Sequence, residues 1–214
     1  MVYGRHGGSM GITIMKTLLI IFCILLTPFI ADARMNVVVC GGGVEAASAC
    51  NPASNEVGNR TEESGTDSMA SDEIDCVLQV ADCTGTANEG WLRMAAGAET
   101  DNCKIGICDA ADGSTEHSPA EHDGNCKWSS GTEMVNKNDW TALTGNVAKA
   151  VTNGSYYWVC VIGGTGGCKV RYGGVGKKVY YKTTSGVYAS PPDNLAGTWS
   201  FQADSNMSAY VEID

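Results

Sequence analysis

His117 and His122 fall with Glu116, Glu121 and Asp123 in one turn-rich stretch, DAADGSTEHSPAEHDGN. Imidazoles beside carboxylates are a metal-ligand chemistry. Pro119 prevents one helix from presenting both histidines on one face, so the stretch reads as a solvated acidic loop instead. Asp109, Asp112 and Asp123 offer oxygens to calcium but lack the DxDxDG spacing of an EF-hand. Calcium is therefore the one cofactor with candidate ligands, and no metal site is assigned. There is no GxSxG, HExxH or phosphate-cradling loop. GGTGG and GGVG lack the following helix that a phosphate loop requires, and they read as turns. Acidic residues are plentiful, yet nothing singles out a carboxylate pair for glycoside hydrolysis. No catalytic residue is assigned.

The aromatic residues are the second chemical signal. Tyr156, Tyr157, Trp158, Tyr172, Tyr180, Tyr181, Tyr188 and Trp199 crowd the C-terminal third. About half must fill a core. Rings left at the surface suit sugars, whose apolar faces pack on aromatic rings while polar neighbours set direction. Tyr180, Tyr181, Tyr188 and Trp199 are the candidate ligand-binding residues.

Ten cysteines in 214 residues point to disulfides and an oxidising compartment. The N-terminus agrees. Lys16 precedes TLLIIFCILLTPFI and then Ala31-Asp32-Ala33, a short basic start, an apolar run and a small-x-small site. Residues 1–33 are read as a removed signal peptide, leaving no stable membrane span and a secreted or cell-surface chain. Cys40 is not expected to carry lipid, because Val39 before it is not small. A net charge of −10 and a pI near 4.7 argue against nucleic acid and against polybasic contact with anionic lipid.

Removing Cys23 leaves an odd number of cysteines, so a free thiol or self-association through an unpaired Cys is expected. No pair has the CxxC spacing of a zinc site. The expected bridges are Cys160–Cys168, Cys108–Cys126 and Cys40–Cys50, with Cys76, Cys83 and Cys103 sharing what remains. The first follows from the densest stretch, SYYWVCVIGGTGGCKVRYGG. Its residues alternate, turn on glycine and alternate back. Folding it about Gly164 opposes Cys160 to Cys168, Trp158 to Val170 and Tyr156 to Tyr172. Opposed Cβ atoms in a sheet lie ~4.5–5.5 Å apart. A disulfide wants ~3.5–4.5 Å, so a non-hydrogen-bonded pair would serve. Cys108 and Cys126 flank the histidine-bearing loop and close it by the same argument.

Residues 34–73 read as an N-terminal segment with a partly ordered acidic linker, since residues 51–75 are polar and lack a period; a surface strand with long loops is the other reading of that stretch. The main domain is expected over residues 74–214. IDCVLQV and NCKIGICDA alternate at period two, and AYVEI closes the chain as a strand. Both faces of residues 155–162 are apolar, so that strand is expected to be covered on both sides or to lie at an aromatic-rich surface. SGVYASPPDNLAGTW reads as a rim loop, with Pro191-Pro192 forbidding regular pairing.

VTNGSYYWVCVIGG, KVRYGGVG, the following YY, SGVYASPPDNLAGTW and SAYVEI, in that order, resemble secreted, tail-fibre-like jelly-roll modules. Cys108 stands where those modules usually carry an aromatic residue. The resemblance implies an all-β, jelly-roll-type sandwich of roughly eight strands over about residues 74–214. It also implies cell-surface, carbohydrate-binding or appendage roles, and it assigns no functional residue. The expected function is a secreted, non-catalytic module binding carbohydrate or a cell surface. A structural subunit of an extracellular appendage, fibre or coat is the alternative.

Overall fold

The computed structural model describes residues 50, 55–97, 102–114, 118–121, 125–130, 132–133, 138–143 and 145–214. The expected signal peptide and Cys40 lie outside them, as do His117, His122 and Asp123. Among the described residues the chain is all-β, with fifteen strands, one 3-10 turn at Pro119–Glu121 and no α-helix. None of those residues forms a helix long and apolar enough to cross a membrane.

The strands form three antiparallel sheets. The largest runs β13 (Ser200–Ala203), β12 (Lys178–Thr183), β3 (Glu73–Val80), β10 (Tyr156–Gly163), β5 (Asn102–Asp109) and β6 (Lys127–Trp128), with β7 (Thr132–Glu133) also on β5. A second runs β1 (Glu56–Gly58), β15 (Ala209–Ile213), β4 (Gly85–Arg93) and β8 (Trp140–Leu143), with β9 (Lys149–Val151) also on β4. The third is β14 (Asn206–Met207), β11 (Cys168–Gly173) and β2 (Gly65–Met69). A bridge from Met94 to Val170 links the end of β4 to β11.

Period-two alternation sorts β10 into two cores. Tyr157, Val159 and Val161 join Val77, Ile105 and Ile107 in an interior shared with the two smaller sheets, which contribute residues such as Leu92, Val211 and Val170. The arrangement is sandwich-like. Trp158, Cys160 and Ile162 point the other way and join Ile74, Cys76 and Leu78. This second core lies under residues 184–199. Val187 and Leu195 are buried there, and the Trp128 and Trp199 indole N–H groups donate to the carbonyls of Pro192 and Leu195 at 2.8 Å each. The stretch expected to be a rim loop is thus a strap across a sheet face. Exposed apolar residues on β3 and β10 must be covered, and a proline-broken loop can cover them without pairing. Asp72 fastens its start by accepting from the backbone N–H groups of Gly186 and Tyr188 at 2.9 and 3.0 Å.

The expected hairpin does not form. Both edges of β10 are taken, by β3 and β5, so β11 has no edge to join. The chain turns tightly, with the Gly167 N–H donating to the Gly164 carbonyl at 2.8 Å, and leaves for the third sheet. Gly166 and Gly167 have φ of +94° and +87°, values that favour glycine. The Cys160–Cys168 pairing is therefore replaced by two bridges. Cys160 sits directly opposite Cys76 on β3, Cα atoms 4.1 Å apart, and is bonded to it. Cys168 is bonded to Cys103 on β5, tying the third sheet to the first.

Cys108 is bonded to Cys126. Cys50 is bonded to Cys83, which replaces the expected Cys40–Cys50 pair. That bond, β1 on β15 and β2 on β11 carry the folded unit well upstream of residue 74. Glu56–Gly58 and Gly65–Met69 are strands in place of an acidic linker. Thr66 and Ser68 of the second strand face solvent, while Val57 and Met69 reach the core.

Candidate functional site

β3 carries one ionisable side chain into its buried run. Ile74, Cys76 and Leu78 serve the strap side, which turns Glu73, Asp75 and Val77 to the opposite face. Asp75 is 2% exposed. Its Oδ2 accepts from the Tyr172 hydroxyl of β11, across the seam between two sheets. Its Oδ1 is buried without a hydrogen-bond partner. Burial pushes the Asp75 carboxyl up to about 8. The Tyr172 hydrogen bond opposes this, while Glu73 and Asp67 push in the same direction. Burial and the neighbouring Asp75 hold the Tyr172 hydroxyl well above its ordinary range, so it remains the donor.

A cleft of about 410 Å³ opens at this seam. Asp67 lines it from β2, and Glu73 and Asp75 from β3. Tyr181 of β12 stands at the register position opposite Asp75, and Gln202 of β13 opposite Val179. Tyr181 is 38% exposed, while Phe201 borders the cleft but turns its ring to the other face of the sheet, 5.7 Å from that of Tyr180. A second hollow of about 310 Å³ shares Asp67, Tyr172 and Gln202 and adds Asp204. The combined groove offers carboxylates, the exposed Tyr181 ring and a side-chain amide. Those groups can hydrogen-bond a polyol and stack on its apolar face. No lysine or arginine lines either hollow among the described residues.

Of the four candidate aromatics, only Tyr181 reaches this cleft. Tyr180 is buried, packed edge-on against Trp158 at 5.5 Å between ring centroids. Tyr188 lies beneath the Lys104 ammonium, 4.7 Å away, and packs on the strap-side core. Trp199 packs on the same core, with the Lys182 ammonium 4.5 Å from its ring. The structure thus divides these rings between a packing role and the cleft.

A separate ring cluster lies on the second sheet, where Trp91 stacks with Tyr210 at 6.1 Å and Trp140 meets Tyr210 edge-on at 5.1 Å. The Arg60 guanidinium covers Tyr210 at 4.4 Å. Asp109, a calcium candidate, instead pairs with the buried Lys149 ammonium at 2.9 Å. Asp112 accepts from the Ser114 N–H at 2.8 Å. Among the described residues no three His, Cys, Asp or Glu side chains come together as a metal site.

Asp67 and Glu73 belong to the stretch read as acidic linker, and Asp75 falls in IDCVLQV, the first strand of the expected main domain. One signal was present, since Asp75 interrupts the apolar run IDCVL with a carboxylate that a strand core does not otherwise hold. No protein-family model matches the chain, and no curated protein matches it in sequence.

Proposed function

We propose that the chain is a secreted, non-catalytic binding module whose ligand is a carbohydrate held in the groove between β2, β3, β11, β12 and β13. The observation that carries this reading is the grouping of exposed Tyr181 with Asp67, Glu73 and Gln202 in one cleft. The ring face supplies stacking, and the carboxylate and amide oxygens accept from sugar hydroxyls. Four disulfides support export to an oxidising compartment. The wholly antiparallel sheets, with the terminal β15 set between β1 and β4, support a jelly-roll-type sandwich. The test is a glycan array probed with the folded, oxidised chain and with Tyr181→Ala. Binding that falls in the variant supports the proposal. No bound glycan at high protein concentration, or binding indifferent to Tyr181, overturns it.

A structural subunit of an extracellular appendage, fibre or coat is the second reading. β13 favours it, as a sheet-edge strand with all four residues exposed. The four bonds take every cysteine from Cys50 onward, so removal of a signal peptide carrying Cys23 would make Cys40 the odd cysteine through which copies could join. Mass measurement under non-reducing conditions separates the two. A covalent or filamentous assembly favours the subunit, and a monomer favours the binder.

A further inference from the structure

We infer that the groove takes an amino sugar with its nitrogen unacetylated, a cationic glycan rather than a neutral one. The inference rests on the carbohydrate reading above and names the ligand class for that same site. Asp67, Glu73 and Asp75 line one hollow and Asp204 the adjoining one, with no lysine or arginine lining either among the described residues. A neutral sugar entering here strips water from the carboxylates and supplies no opposite charge. An ammonium brings three N–H donors and the missing charge. Its sugar ring brings an apolar face to Tyr181.

The second, independent observation is Asp75. It is buried beneath the cleft, Tyr172 holds Oδ2, and Oδ1 has no partner. Oδ1 is closed to solvent, so a ligand meets Asp67 and Glu73 first, with the protonated Asp75 carboxyl below them. Burial and the repulsion of Glu73 and Asp67 keep its charge suppressed. A cation among these carboxylates reverses the repulsive part, and Asp75 releases its proton to the solvent. Binding of the ammonium is thereby coupled to loss of one proton from the floor of the site.

Isothermal titration at about pH 6, below the range in which such an amine loses its proton, tests this. The probes are a glucosamine oligomer, its N-acetylated counterpart of equal length, and a diamine without a sugar. Two buffers of different ionisation enthalpy report proton release. The expected result is binding of the deacetylated oligomer roughly tenfold tighter than the acetylated one, with protons released. Asp75→Asn and, separately, Asp67→Asn reduce that preference, and Asp75→Asn abolishes the proton release. Asp193→Asn, an exposed carboxylate of the strap, leaves both unchanged and controls for the chain's overall negative charge.

Equal binding of both oligomers overturns the amine inference and leaves the carbohydrate reading standing. A diamine that binds as well as the oligomer supports recognition of the amine and overturns the carbohydrate reading. Absence of binding by all three probes overturns both. An Asp193→Asn effect as large as that of Asp67→Asn also overturns the inference, since it marks non-specific attraction.

Discussion

The Tyr172 hydroxyl donates to Asp75 Oδ2 across the seam between β11 and β3, placing a carboxylate partnered on one oxygen alone inside the fold. Asp75 keeps its proton up to about pH 8 in the folded chain. An unfolded aspartate releases it near ~3.9. Between those values folding takes up a proton. The Asp75 contribution is therefore complete below the unfolded value, declines as pH rises through the window, and levels off above about 8. The limiting slope is about 1.4 kcal/mol per pH unit. Asp75→Asn removes this dependence while retaining an acceptor for Tyr172. Thermal melts across the window should show the wild-type melting temperature falling relative to the variant as pH rises. Parallel profiles would refute the assignment.

Cys103–Cys168 ties the third sheet to the first, and Cys76–Cys160 joins neighbouring strands within the first. Peptide mapping under non-reducing conditions should recover both linkages. A Cys160–Cys168 peptide would instead restore the hairpin and overturn the topology around β10. Replacing Cys103 and Cys168 together by Ser should cost about 2–5 kcal/mol in denaturant unfolding.

Leu195 is 1% exposed and anchors the strap over Trp158 and its neighbours. Leu195→Ala should destabilise the chain by about 2–5 kcal/mol. Near-ultraviolet circular dichroism should also change as the tryptophans beneath the strap lose their fixed surroundings. A variant with wild-type stability and spectrum would show that the strap does not seal that face.

Gly106 on β5 stands opposite Trp128 on β6, whose indole ring occupies the space a β-carbon would take. Gly106→Ala must push the ring aside and strain its hydrogen bond to Pro192. A loss of about 1–3 kcal/mol is expected. Gly154→Ala has nothing within 4 Å of the added carbon but has a φ of +74°, so any loss there comes from the backbone. An unaffected Gly106→Ala would place the Trp128 ring elsewhere.

Strand positions are local properties, and the sequence determined several of them by itself. Glu73–Val80, Asn102–Asp109 and Ala209–Ile213 follow from short alternating runs. The two apolar faces of β10 announced burial on both sides, which the two cores supply. Cys108–Cys126 was legible because its short loop sets the register: Ile107 opposes Lys127, so the next pair is Cys108 and Cys126. Tertiary structure alone decided which strands became neighbours. Alternation fixes the face of a side chain but not the strand beside it, so β10 could not reveal that β3 and β5 would take both its edges. The same ambiguity hid β2, whose exposed polar residues resemble a linker until β11 pairs with it. The groove has the least local signature. Asp67, Asp75, Tyr172, Tyr181 and Gln202 come from five strands, and only their packing turns scattered solvated residues into one acidic, aromatic-lined cleft.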